Sequence, residues 1–474
     1  MLIPEVALNA AALQKEAEKD VAAQWEDINK LSVLSHAVVT LPREQLNALA
    51  QMTDANLSTS EAALKSTLFA SRSILGPFAA NMMESAITWL DNGIRKVLVD
   101  AESMEDEELQ SVATAVSELP AERVILRFPV DAESLVNRDV KQVQHAEINT
   151  ALLVQDKINR LKDYIGGVVV TLRSSPTHLT SATEFDLVAK AIQTIRDGFE
   201  EGFFFAVEWT AVKDEAFDRQ TLIPHIATLH EKGINVVAPA VLRTSEAERP
   251  RVIDAGVAFV KCIRSDRPDG LFTTVVVDES GVALGLVYSS EESILAALES
   301  GRGVYYSRSR KGLWKKGESS GNYQELVQLD LDCDSDALRF MVRQSGAGFC
   351  HLNTRTCWGE SGGLQALQSM LESRLQEAPA GSYTKRLFND AELLRNKLVE
   401  EAQELAEAET QSDIAGEAAD VMYFAMVRCV AAGVSLPDIE KFLDMRSLKV
   451  KRRPGNSKAY RIDAANEILK KQKK

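Results

Sequence analysis

The residues best equipped for chemistry are Asp332-Cys333-Asp334-Ser335-Asp336, followed by Cys350-His351 and Cys357. Three of the chain's five cysteines fall within this stretch of 25 residues, the first inside a comb of three aspartates. Thiolates suit a soft ion such as zinc, and carboxylates suit a hard one such as magnesium. Both sets interleaved describe a two-metal hydrolytic site. The spacing Cys333-x16-Cys350-x6-Cys357 supplies three thiolates and leaves a fourth position open, as in catalytic zinc sites. A water held there would be acidified toward neutral pH. His351 is an alternative fourth ligand, but neighbours on an extended segment point in opposite directions, which suits it better to moving protons. An extended Asp332–Asp336 would turn Asp332, Asp334 and Asp336 to one face and Cys333 to the other. The competing structural reading is an Asp-rich capping turn beside a structural zinc.

Two neighbouring features suit phosphate. In Tyr306-Ser307-Arg308-Ser309-Arg310, the spacing places Arg308 and Arg310 on one strand face, where their guanidinium groups can fork onto phosphate oxygens. In Lys315–Asn322, Lys316, Ser319 and Ser320 stand among glycines that free backbone amides to cradle an anion. A solvated basic hairpin is the plainer alternative.

A second cluster is purely acidic. Glu401/Glu404 and Glu417/Asp420 are i,i+3 pairs on successive predicted helices, with Glu400 and Lys397 beside the first pair. Four converging carboxylates repel one another unless a cation neutralises them, and magnesium with phosphate oxygens is the natural filling. A solvated acidic face is again the plainer reading.

These residues need three kinds of scaffold. Up to residue 264, short β-branched runs alternate with amphipathic stretches, which predicts an α/β domain, barrel-like or doubly wound. Candidate strands are His36–Thr40, Ser73–Leu75, Lys96–Val99, Arg123–Phe128, Gly167–Leu172, Phe203–Val207, Asn235–Ala238 and Ala258–Cys262, with helices such as Glu184–Arg196 and Thr244–Ala255. His145, His178, His225 and His230 are scattered and read as packed or surface residues. Residues 265–363 predict a β-rich α+β module: a hairpin of Leu271–Asp278 and Val282–Tyr288, a helix Glu291–Ser300, then strands Val304–Arg310 and Gly312–Lys316. Residues 364–448 predict helices Gln365–Glu377, Asp390–Ala408, Ile414–Ala432 and Leu436–Arg446. The last has Ser435 as cap and Pro437 in its first turn. A linker, Ala378–Ser382, precedes the second.

The 474-residue length suits several domains, and 45% apolar with 26% charged residues fits a globular chain. A net charge of −15 argues against nucleic acid as a partner. The exception is 449–474, a basic and flexible-looking tail with ten Lys/Arg. Clustered cysteines point to metal ligation in a reducing compartment rather than to disulfides. The N-terminus reads as neither signal nor transit peptide, and no apolar run approaches membrane-spanning length, so a cytoplasmic location is expected.

RPDGLFTTVVVD, GVYYSRSRKGLWKKGESSGN, DCDSDAL and GFCHLNTRTCW, in that order, resemble the phosphoribosyl-AMP cyclohydrolase family of histidine biosynthesis over about Arg267–Gly359. The resemblance implies zinc on Cys333, Cys350 and Cys357, magnesium on Asp332, Asp334 and Asp336, and a dimer that draws zinc ligands from both subunits. Trp358 departs from the Phe common in that family after the last cysteine. The implied reaction opens the adenine ring of phosphoribosyl-AMP by hydrolysis, with His351 moving protons. SYTKRLF, KLVEEAQE and GEAADVMYF resemble the phosphoribosyl-ATP pyrophosphohydrolase family over about Ser382–Arg446. That likeness implies an all-α fold and magnesium on Glu401, Glu404, Glu417 and Asp420, with Glu400 orienting water and Lys397 facing a phosphate. The implied reaction converts phosphoribosyl-ATP to phosphoribosyl-AMP and pyrophosphate. The two are consecutive steps, and the long N-terminal region is similar to that of fungal multifunctional histidine enzymes. The expectation is a bifunctional, homodimeric hydrolase. Its rivals are a general nucleotide pyrophosphatase with a zinc module, and a barrel-like domain acting as a non-catalytic scaffold.

Overall fold

The computed structural model describes residues 1–8, 27–34, 36–51, 68, 72–136, 150–174, 177–211, 218–359, 362–379 and 381–450. His145, Ala380 and the basic segment 451–474 lie outside them, as does the side chain of His178.

Eight parallel strands come first: β1 (Leu2–Ala7), β2 (Ala37–Thr40), β3 (Ser73–Phe78), β4 (Lys96–Asp100), β5 (Val124–Asp131), β6 (Gly167–Ser174), β7 (Phe204–Ala211) and β8 (Asn235–Val241). Each pairs with the next, and β1 also pairs with β8, Ile3 against Val237, so the sheet closes into a barrel rather than a doubly wound sheet. Every strand gives one residue to an apolar ring: Ile3, Val38, Ile74, Leu98, Ile125, Val169, Ala206 and Val237. Two residues further along four of these strands, the same face carries charge, at Glu5, Asp100, Arg127 and Glu208. Arg127 donates to both carboxylate oxygens of Asp100, at 2.8 and 3.1 Å. Glu208 accepts from the Thr171 hydroxyl at 3.0 Å. Burial, reinforced by Glu208, pushes the Glu5 carboxyl up to about 7.

The expected strand set contains two errors that cancel in the count. It omits β1. It also includes Ala258–Cys262, which belongs to a helix, Ala255–Lys261, followed by Cys262 as its C-cap. Asp254 caps that helix by accepting from the Val257 amide at 2.9 Å. Seven residues are too few to display a helical period over a β-branched run. Thr244–Ala255, expected to be helical, consists of bends, turns and the two-residue β9 (Ile253–Asp254) before the helix starts at Ala255. The helix expected at Glu184–Arg196 spans Ala182–Arg196 and is capped by Ser181.

A six-stranded sheet follows: β10 (Phe272–Val277), β11 (Ala283–Ser289), β12 (Val304–Ser307), β13 (Gly312–Lys315), β14 (Gln324–Leu331) and β15 (Ala337–Gln344). Its order is β13-β12-β11-β10-β15-β14, antiparallel except for the β10–β15 pair. Barrel and sheet share one hydrophobic core, a single cluster containing Leu2, Phe78 and Phe259 as well as Leu284, Phe340 and Phe349. Helix Ala255–Lys261 packs against helix Glu291–Ser300. A Cβ added to Gly256 would lie 3.1 Å from Leu295 Cδ2, so the glycine permits this close approach. Polar bonds seal the same interface. Arg72 pairs with Asp330 at 2.8 Å, and the Leu329 amide donates to the Val33 carbonyl at 2.9 Å.

The helices Gly363–Gln376, Tyr383–Asn389, Ala391–Glu407, Gln411–Ala431 and Leu436–Ser447 form a separate unit. Leu371, Leu387, Leu394, Phe424, Val427 and Val430 belong to a core of its own. Ser435 and Asp438 form a capping box on the last helix, with Pro437 in its first turn. Polar contacts link this unit to the remainder: Ser280 donates to Glu440 at 3.1 Å, and the Val450 amide donates to Asp91 at 2.6 Å. Among the described residues no single helix is long and apolar enough to cross a membrane.

Candidate functional site

After β15 the chain forms a narrow loop. The Phe349 amide donates to the Arg355 carbonyl at 3.0 Å and that of Cys350 to the Thr354 carbonyl at 3.1 Å, leaving His351–Asn353 at the tip. The Cys357 amide donates to the Leu284 carbonyl on β11 at 2.9 Å, which fixes the second cysteine against the sheet. The two thiols lie close enough to influence each other's protonation. The Leu352 amide, and then the Thr354 hydroxyl, hold the Cys350 thiol below its ordinary pKa, favouring thiolate. Burial, followed by the proximity of Cys350, pushes Cys357 up. One bound cation shared by the pair would reverse that penalty, so this donor set fits a soft metal.

Lys316 is only 7% exposed. Burial lowers its pKa, while Cys357 and Cys350 favour its charged form. Its ammonium lies 5.3 Å from the centre of the Phe349 ring. A cleft of about 460 Å³ is lined by Arg310, Lys316, Ser319, Ser320, Cys350, His351 and Cys357, and also by Trp314, Asn322 and Asn353. The cleft thus brings seven of the expected residues together. Sequence reasoning missed the other three as lining residues, although Asn322 ends the glycine-serine segment already singled out and Trp314 immediately precedes it. Gly317 takes φ +90°, and a Cβ there would lie 2.7 Å from the Asn322 carbonyl, so the loop folds tightly over itself. His351 Nδ1 stands 3.9 Å from Cys350 Sγ, beside the thiol pair.

Two expectations fail locally. Arg308 and Arg310 do not share a strand face, because β12 stops at Ser307 and they occupy the turn to β13, where Lys311 takes φ 51°. Arg310 lines the cleft; Arg308 stacks on the Tyr288 ring at 4.0 Å and lines a neighbouring depression. Asp332–Asp336 is not extended either. It is a tight turn between β14 and β15 with Ser335 at φ 66°. The turn nevertheless brings carboxylate oxygens of Asp332, Asp334 and Asp336 within 4.8 Å of one another. The Asp332 carboxylate also accepts from the amides of Asp336 and Ala337, at 3.0 and 3.1 Å. Asp334, more than Asp332, raises the Asp336 pKa by like-charge repulsion. A hard cation would relieve that repulsion. Cys333, on the same turn, is exposed and does not line the cleft that holds Cys350 and Cys357.

In the helical unit, oxygens of Glu401, Glu417 and Asp420 also lie within 4.8 Å of one another. Glu401 is 6% exposed. Glu404, one turn along, is outside that group of three; burial and the neighbouring Glu401 and Glu417 raise its pKa. Lys397, expected to face a phosphate, instead pairs with Glu401 at 2.6 Å and Glu400 at 2.9 Å, which raises its own pKa. The carboxylates therefore already attract a cation, and a divalent ion is a matching addition.

Residues 285–359 match the phosphoribosyl-AMP cyclohydrolase family, and residues 364–447 match the phosphoribosyl-ATP pyrophosphohydrolase family. The histidine biosynthesis bifunctional protein of Schizosaccharomyces pombe is 42% identical over 323 residues, 65% of this chain and 77% of the relative. That alignment is too long for the two hydrolase regions alone and extends into the barrel. The histidine biosynthesis trifunctional protein of Saccharomyces cerevisiae is 57% identical over 197 residues, 41% of this chain and 25% of the relative. The histidine biosynthesis bifunctional protein of Bacteroides thetaiotaomicron is 34% identical over 191 residues, 38% of this chain and 94% of the relative. The chain therefore spans a quarter of the yeast trifunctional relative and most of the bifunctional ones.

Proposed function

The chain belongs to the family of bifunctional histidine-biosynthesis proteins, and from that premise we propose how its two hydrolase regions divide the work. The helical unit cleaves phosphoribosyl-ATP to phosphoribosyl-AMP and pyrophosphate. Glu401, Glu404, Glu417 and Asp420 hold magnesium there, and Lys397 keeps Glu400 and Glu401 in place. The cleft beside the sheet then opens the adenine ring of the product. Cys350 and Cys357 are two of its zinc ligands. Zinc, when bound, supplies an acidified water at neutral pH. His351 moves protons between that water and the ring nitrogen. Lys316, Arg310, Ser319 and Ser320 receive the phosphate, and Arg308 steers it from the neighbouring depression.

The observation that carries this reading is the cleft itself, where a thiol pair, a histidine and phosphate-type donors line one space. Because Cys333 and the aspartate turn face solvent elsewhere, the complete site is proposed to form in a homodimer, with Cys333 and the magnesium-bearing turn supplied by a second copy. A cytoplasmic location follows from the reliance on reduced thiols. The boundaries at 264/265, 363/364 and 448/449 are proposed on the same footing.

Purified protein given phosphoribosyl-ATP, Mg²⁺ and Zn²⁺ is expected to form the ring-opened product. Accumulation of phosphoribosyl-AMP would overturn the cyclohydrolase assignment; absence of pyrophosphate would overturn the other. Mixing a Cys333→Ala chain with a Cys350→Ala chain is expected to restore part of the ring-opening activity, since a mixed dimer retains one intact site. No recovery in a demonstrated mixed dimer would rule out the shared site.

A further inference from the structure

The aspartate turn is held from beneath by the barrel. Ser335 is buried, while Asp332, Cys333 and Asp334 on the same turn are exposed. His230 ends a barrel helix, Ile223–His230, and its Nε2 meets the Ser335 hydroxyl at 2.9 Å. Arg264, just past the last barrel helix, grips the backbone twice. Its amide donates to the Ser335 carbonyl at 2.8 Å, and its guanidinium donates to the Asp334 carbonyl at 2.9 Å. Ser335 is a non-glycine residue in the left-handed region, at φ 66°. Such a residue is strained and persists only where its surroundings over-determine it. Three bonds from the barrel do so here. They fix the one residue whose backbone reverses the chain between Asp334 and Asp336, and so decide whether the three carboxylates converge.

We propose that His230 and Arg264 are positioning residues for the cyclohydrolase: through Ser335 they set the aspartate turn in the geometry that accepts a divalent cation. This rests on the reading of Asp332, Asp334 and Asp336 as a cation site. The barrel thereby has a part in the chemistry of the neighbouring sheet without touching substrate. Bonds that orient a ligand are worth about 10- to 100-fold in metal affinity.

The test uses full-length, zinc-loaded protein carrying Glu417→Gln and Asp420→Asn, so that the helical carboxylates do not compete. Mn²⁺ binding is followed by electron paramagnetic resonance. His230→Leu is expected to weaken Mn²⁺ binding about tenfold, and His230→Gln, which keeps a side-chain amide, to restore most of it. Ser335→Gly relieves the backbone strain but loses the hydroxyl; it is expected to weaken binding while leaving the melting temperature near that of the parent. In chains with Glu417 and Asp420 intact, His230→Leu should raise the Mg²⁺ concentration that half-activates ring opening and leave pyrophosphate release unchanged. Equal Mn²⁺ affinity in parent, His230→Leu and Ser335→Gly would overturn the positioning role alone. Failure of the parent to bind Mn²⁺ at all would overturn the cation site itself.

Discussion

The two hydrolase regions are built in opposite ways. In the helical unit the carboxylates stand on two consecutive helices over a private core, so local sequence spacing places them. In the sheet region the thiols stand on a loop and the aspartates on a turn. The apolar core beneath them is shared with a barrel formed from the preceding 240 residues. A site on regular elements is complete within a short segment. A site on turns depends on whatever fixes the turns, and here that includes a different domain.

Cutting the chain tests this contrast most severely. A fragment beginning at Ser265 loses the barrel side of the shared core and the Arg72, His230 and Arg264 bonds. It is expected to lose ring opening entirely and to aggregate in gel filtration. A fragment beginning at Gly363 is expected to remain helical by circular dichroism with a cooperative thermal transition. A soluble, ring-opening fragment from Ser265 would break the comparison.

Single substitutions come next. Cys350→Ala is expected to lower ring opening by about 10³-fold or more and to reduce bound zinc, with pyrophosphate release within about twofold of the parent. Glu401→Gln is expected to do the reverse, lowering pyrophosphate release by about 10²-fold while phosphoribosyl-AMP supplied directly is still opened. Parallel loss of both activities in either variant would mean that the units are not independent.

The smallest effect is a pH dependence. His36 lies at the entrance to β2, near Arg72 and Asp330, and burial, aided by Arg72 and Lys96, lowers its pKa to about 4. The folded chain thus favours neutral imidazole. Its contribution to stability is present above the unfolded value near 6.5 and is lost as pH falls toward 4. Between pH 6.5 and 5 the barrel–sheet unit is expected to lose about 1–2 kcal/mol that His36→Gln does not lose. The helical unit, which lacks this histidine, should show the smaller change when its unfolding in urea is followed separately.

Where the sequence was legible follows the same division. The helical carboxylates repeat at i,i+3, and their convergence could be read from that spacing. The barrel emerged from alternation, yet β1 passed unnoticed because one isolated LIPEVA run precedes any visible repeat. The AFVKC run, Ala258–Cys262, reads as a strand from its apolar residues, but the cap at Asp254 starts a helix that takes in all but its last residue. Arg308 and Arg310 looked equivalent until the turn at Lys311 separated them. His230 gave no local signal, since its partner Ser335 lies 105 residues away. Ser335 itself read as a spacer between aspartates, although its backbone conformation closes the turn.

The shared core has a consequence for inheritance. Units that recombine freely must carry their own apolar interior across a fusion point. The helical unit meets that requirement with a core of its own. The sheet of this chain has merged its interior with the barrel's, so separating the two here would cut through one shared core. In this protein the boundary between two closed interiors therefore lies between its two enzymes.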